Sequence, residues 1–151
     1  MLKVMAALTG VIAVILALGT SWADASDFTD MRGVWTGKYL AVAPQRDNEP
    51  GPRFNDVELK LDIKEQKENV FWGTSTWRII GRDAWNERQV TGSVSLIDPG
   101  AVTINEVLLK PEISITGLIN GAVKDGKLFV TFRGLRTGTS FSTVLKKDTS
   151  R

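Results

Sequence analysis

The chain has 151 residues with no cysteine and no histidine, and 19 Lys+Arg against 17 Asp+Glu give a formal charge of +2. These absences exclude disulfides, thiolate nucleophiles, Cys/His zinc sites and haem held by His or Cys, together with Ser-His-Asp and Cys-His catalysis. A charge so near neutral gives no electrostatic footprint for a nucleic-acid partner.

The chain opens Met1-Leu2-Lys3 and continues in an uncharged run from Val4 to Gly19. Thr20-Ser21-Trp22-Ala23-Asp24-Ala25 follows, with the small-x-small pattern read by signal peptidase at Ala23/Ala25 and again at Ser21/Ala23. The apolar run is shorter than the ~20 residues of a spanning helix. Residues 1–25 are therefore expected to be a signal peptide, cut after Ala23 or Ala25, which leaves no membrane span. Residues 26–151 then form one exported domain, periplasmic or secreted, large enough for its own core.

Beyond residue 26 the apolar period is 2. In Val57-Glu58-Leu59-Lys60-Leu61-Asp62-Ile63-Lys64 every odd position is aliphatic and every even one charged, the mark of a strand with one buried face. Strands are predicted near 33–43, 56–65, 70–80, 88–97, 101–109, 113–122, 127–134 and 137–147. Between them stand the turn Glu65–Asn69, the turn Asp98-Pro99-Gly100, Pro111, and Asp125-Gly126, a pair that favours tight hairpins. The one long connection runs from Pro44 to Asn55. Glycines recur inside the strands, four of them in Thr-Gly pairs, as sharply coiled strands require. The fold class expected is all-β, an eight-stranded antiparallel up-and-down β-barrel, in which closure removes both exposed edges. A β-sandwich is the alternative.

Parity predicts the lining. Trp35, Tyr39, Ala41 and Ala43 share one face of the first strand; Val57, Leu59, Leu61 and Ile63 share one face of the second. Val90, Val94, Leu96, Ile113, Ile115, Ile119, Leu128, Val130, Phe132, Phe141 and Leu145 continue it. In the third strand one face carries Phe71, Gly73, Ser75 and Trp77, and the other carries Trp72 and Arg78, so one large Trp must be exposed. Glu106 falls in register with Val102, Ile104 and Leu108. An inward carboxylate needs a partner or a raised pKa, so the register is expected to flip there, with Thr103 and Asn105 inward.

Gly33-Val34-Trp35, followed by Thr36-Gly37-Lys38-Tyr39, resembles the first strand of lipocalins and of the wider calycin group that includes avidins. The resemblance spans residues 33–147 and implies that Gly33 and Trp35 are structural, with Trp35 filling the closed barrel end, and that something small and apolar is bound inside. The chain departs from the group at three points. A Thr-Asp-Tyr turn is absent, Lys146-Lys147 stand where lipocalins carry an Arg, and Thr36–Ala41 lack the Asn and Ser with which avidins hold biotin. Biotin binding is not carried over.

In an up-and-down barrel, Pro44–Asn55, Gly81–Glu87, Lys110–Glu112 and Gly134–Arg136 share one end, the mouth. Seven of the nine arginines after residue 25 lie there: Arg46, Arg53, Arg78, Arg82, Arg88, Arg133 and Arg136. Of the lysines only Lys110 does. Arginine suits planar contact with carboxylate or phosphate. Solvated arginines paired with nearby acids are the competing reading. Trp85, in a charged mouth loop, is placed to anchor a ligand or a partner. The candidate binding residues are Tyr39, Arg53, Trp77, Arg78, Arg82, Trp85, Arg133 and Arg136. Ala41, Ala43 and Gly92 leave room for a cavity above Trp35, against complete filling by side chains.

The function expected is an exported lipocalin- or avidin-like binding protein for a small amphipathic, anionic molecule, without cofactor or metal. The alternative is a protein-binding module of the cell envelope, such as an exported enzyme inhibitor. No pair of carboxylates is placed for catalysis, so no enzyme is expected.

Overall fold

The computed structural model describes residues 28–45 and 50–149. The expected signal segment and Arg46 lie outside the described residues. Eight strands follow in chain order: β1 (Gly33–Ala43), β2 (Arg53–Lys67), β3 (Val70–Ile79), β4 (Asn86–Val94), β5 (Ala101–Leu108), β6 (Ser114–Lys124), β7 (Lys127–Gly134) and β8 (Ser140–Lys147). Each pairs antiparallel with its sequence neighbour, and β8 pairs with β1, so the sheet closes into an up-and-down barrel. This closed barrel is consistent with a calycin-like architecture, and among the described residues there is no helix. Asp125 and Gly126 both take positive φ, 51° and 69°, as a two-residue hairpin with the strands' own twist demands.

The closed end is packed solid. Trp35 is 1% exposed, and its Nε1–H donates to the Met31 carbonyl oxygen at 2.8 Å. Residues 28–32 lie across this end: Met31 is fully buried, and its N–H donates to Gln66 Oε1 at 2.7 Å. Lys147 sets its ammonium 5.2 Å from the Trp35 ring centroid and donates to the Asp30 carbonyl oxygen at 3.1 Å. A lysine thus occupies the site where the resemblance places an arginine. Leu59, Leu61, Ile63, Phe71, Val90, Val94, Val102, Ile104, Ile119, Leu128, Val130, Phe141 and Leu145 form the rest of the core, as parity predicts for most of them.

Three lining expectations are corrected. Leu96 is 75% exposed, because β4 ends at Val94 and the chain turns at Ser95, whose Oγ accepts from the N–H groups of Ile97 and Asp98. Ile113 and Ile115 are 79% and 50% exposed. Here Glu106 pairs with Gly117 but Val107 pairs with Ile115, so Thr116 is an extra residue on β6. Such a bulge reverses the faces of the strand beyond it. The third correction is Glu106 itself. The register does not flip at Glu106: its side chain points inward and is 6% exposed, while Thr103 faces outward and Asn105 faces a groove on the outer wall.

Gly73 is glycine because of close approach. A Cβ there would run into the backbone carbonyl of Asp62 on β2. It sits beside the register shift between Ile63 and Glu65, where the wall bends sharply.

Candidate functional site

Above the Trp35 layer the barrel is open. A cavity of about 420 Å³ runs from Leu59 to the mouth loops, within the size range of small-molecule sites, roughly 300–1,000 Å³. The interior is therefore not filled by side chains. The mouth lies where the long β1–β2 connection predicts it.

The walls follow from strand parity. β1 contributes Tyr39, Ala41 and Ala43; β2 contributes Arg53, Asn55, Val57 and Leu59. The two alanines and Val57 are the small residues that leave the space. On one wall Tyr39 stacks on Phe141 at 3.6 Å between ring centroids, and Phe141 stacks on Phe132 at 4.9 Å, nearly parallel in both cases. These three rings form a continuous stack. Trp77 on β3 also lines the cavity, and Trp72 faces out, 43% exposed, its Nε1–H donating to Glu65. The third strand's ambiguity is thereby settled: the face with Phe71, Ser75 and Trp77 is the inner one.

Polar groups enter at both ends. Arg53, the first residue of β2, and Arg82, in the β3–β4 loop, line the mouth, and Arg88 on β4 lines the wall below them. Arg88 Nη1 donates to the Glu87 carbonyl oxygen at 2.7 Å. Thr116, Thr137 and Thr139 add hydroxyls from the β6 and β7–β8 side. At the inner end Ser75, fully buried, donates from Oγ to Glu106 Oε1 at 2.8 Å. Burial pushes the Glu106 carboxyl above its ordinary value, against the opposing pull of the Ser75 hydroxyl and the Arg88 charge. Burial, with the Glu106 charge nearby, likewise raises the Tyr39 phenol. A carboxyl raised above its ordinary value thus lies at depth, and guanidinium groups stand at the opening.

Of the eight residues expected from the sequence, Tyr39, Arg53, Trp77 and Arg82 come together in the cavity. The other four stand outside it. Arg78 lies on the outer wall, where its Nη2 bonds Glu58 Oε2 at 2.9 Å and its guanidinium rests 4.6 Å from the Trp85 ring centroid. Trp85 is 47% exposed on the outer side of that loop. Arg133 borders a shallow groove on the outer wall, and Arg136 is exposed in the β7–β8 loop. The reason is parity: Arg78 and Arg133 alternate with the inward Trp77 and Phe132. Arg78 is thus ion-paired on the outer wall, to Glu58 of the neighbouring strand.

Sequence reasoning did not select Arg88, Glu106, Asn55 or the three threonines for the site. Arg88 was legible, since it shares the parity of Val90. Glu106 was also in register with buried neighbours, and only the expected cost of burying a carboxylate argued against it. Among the described residues no three carboxylates gather as metal ligands would, and no helix is long and apolar enough to cross a membrane. Compared with family models, curated proteins and solved structures, the chain matches none.

Proposed function

We propose that this protein binds a small amphipathic anion inside its barrel and acts as a carrier or scavenger without catalysing a reaction. One observation carries the reading: the cavity opens at the end where Arg53 and Arg82 stand, with Arg88 below them and stacked aromatic and aliphatic walls beneath. Guanidinium groups at the mouth suit a carboxylate, sulfate or phosphate head. The apolar walls suit the body of the same molecule, since ligand sites combine mostly apolar surface with a few placed polar groups. The Val4–Gly19 run and the Ala23/Ala25 pattern support an exported, periplasmic or secreted protein. Displacement of a fluorescent fatty acid, with native mass spectrometry of gently purified protein, tests the reading. Saturable displacement at micromolar concentration is expected, and a protein that takes up no anionic amphiphile overturns it.

The envelope-partner reading keeps one specific support. Trp85 is half exposed on the outer rim with Arg78 against its ring, and an exposed aromatic beside an arginine is a common anchor in protein interfaces. A pull-down from envelope extract that recovers a partner, lost on Trp85→Ala, favours that reading over the first.

A further inference from the structure

We propose that the ligand carries a second polar group, a hydroxyl or a similar hydrogen-bonding group, at the end opposite its anionic head, and that Glu106 recognises it. This rests on the anion-binding reading above and narrows its ligand class.

The two ends of the cavity differ in chemistry. The mouth is cationic. A plain alkyl tail matches Leu59 and Phe132 but leaves unmatched the carboxyl that lines the cavity beside them. Glu106 lines the cavity, and Oε1 is held by Ser75. Oε2 lies over Gly117, 3.1 Å from where a Cβ on that residue would sit. Among the described residues no hydrogen bond reaches Oε2. Oε2 is open to the cavity, so a bound molecule that displaces water from it has to supply a hydrogen bond in its place. The surrounding structure also makes room for this carboxyl. Gly117 has no side chain to cover Oε2, and the extra residue Thr116 turns the strand just beyond it.

A hydroxyl is the simplest match. It both donates and accepts, so it satisfies Glu106 whichever way the proton lies. A methyl end would press against Oε2 and leave it unpaired. The span also fits: from Arg53 to Leu59 the inward face of β2 runs about 20 Å along the strand, or roughly 15 Å along the barrel axis after strand tilt. A ten-carbon chain bridges that distance with its head at the mouth.

The test uses two probes that differ only at the far end, decanoate and 10-hydroxydecanoate, titrated calorimetrically into the exported domain. The hydroxylated probe is expected to bind about tenfold tighter, the cost of one unmade buried hydrogen bond. Glu106→Leu is expected to remove or reverse the preference, and Glu106→Gln, which keeps hydrogen-bonding atoms in the same shape, to retain it. Equal affinity of the two probes for the wild type, or a preference that survives Glu106→Leu, overturns the proposal. Near-UV circular dichroism checks that the variants fold. If Glu106→Leu does not fold, the wild-type comparison decides the matter alone. Two probes that bind equally, both weakened by Arg82→Ala, leave the anion-binding reading standing and reject only this one. Binding of neither probe rejects both.

Discussion

Ser75 and Glu106, 31 residues apart in sequence, meet across the inside of the barrel through a 2.8 Å hydrogen bond from the serine hydroxyl to the carboxyl group. They come from β3 and β5, which are not neighbours in the sheet, since β4 lies between them. The bond is a link through the interior that strand pairing does not supply. Ser75→Ala leaves a buried carboxyl without its donor. It is expected to lower stability by about 1–3 kcal/mol, measured by urea denaturation at neutral pH. A change within experimental error would show that the hydroxyl is dispensable.

Glu106 also sets a pH dependence, and its sign follows from linkage. Burial raises its carboxyl pKa in the folded protein above the unfolded value. Between those two values the folded state holds the extra proton, so stability falls as pH rises through that window. Its stabilising contribution is whole below the ordinary Glu range and lost above the folded value. Arg88 from β4, Tyr39 from β1 and Arg53 from β2 face the same cavity. Asp30, held below the ordinary range chiefly by its hydrogen bond from Arg32, acts in the opposite direction at acid pH. Glu106→Gln removes only the first effect. The difference in stability between wild type and Glu106→Gln is therefore expected to shift in favour of the variant as pH rises, and a flat difference would contradict the burial.

Two glycines are expected to resist the smallest substitution. At Gly73 a Cβ meets the Asp62 carbonyl oxygen, a backbone atom of the adjacent strand that has nowhere to go. At Gly117 it meets the Phe132 ring. Overpacking of this kind costs typically ~1–3 kcal/mol and more where backbone must move. Gly73→Ala is expected to be the worse of the two. Gly126→Ala, where a Cβ meets nothing within 4 Å, costs only the strain of its φ of 69°. Thermal melts of the three variants rank them.

The arginines divide by their place. Arg82→Ala and Arg88→Ala each remove a cavity-lining cation and are expected to weaken decanoate binding about tenfold. Arg133→Ala and Arg136→Ala remove exposed charges outside the cavity, and their effect is expected to stay within about twofold, as for screened surface charges. Equal losses from all four substitutions would mean that long-range charge, and not contact, holds the anion.

The period-2 pattern, the turn residues and the short connections were enough to establish eight strands in sequential antiparallel order. The bounds of β1 and β7 are those the alternation predicts. The mouth beside Pro44 was legible for the same reason, since it depends on local order along the chain, whereas Trp35 at the closed end is what the resemblance to the calycin group implies. Alternation reports which face a side chain takes only while the pairing register is unbroken. At Thr116 the register shifts, and Ile113 and Ile115 end up outside although their sequence reads as core. Glu106 ran the other way. Its parity was right, but whether a carboxyl can be buried depends on a donor from another strand, and Ser75 becomes that donor only when β3, β4 and β5 are packed together. The division of the arginines between cavity and outer wall, and the space that Ala41, Ala43 and Val57 leave between them, were likewise decided by the tertiary structure. Faces and volumes across a closed sheet are non-local quantities, and only the packed barrel settles them.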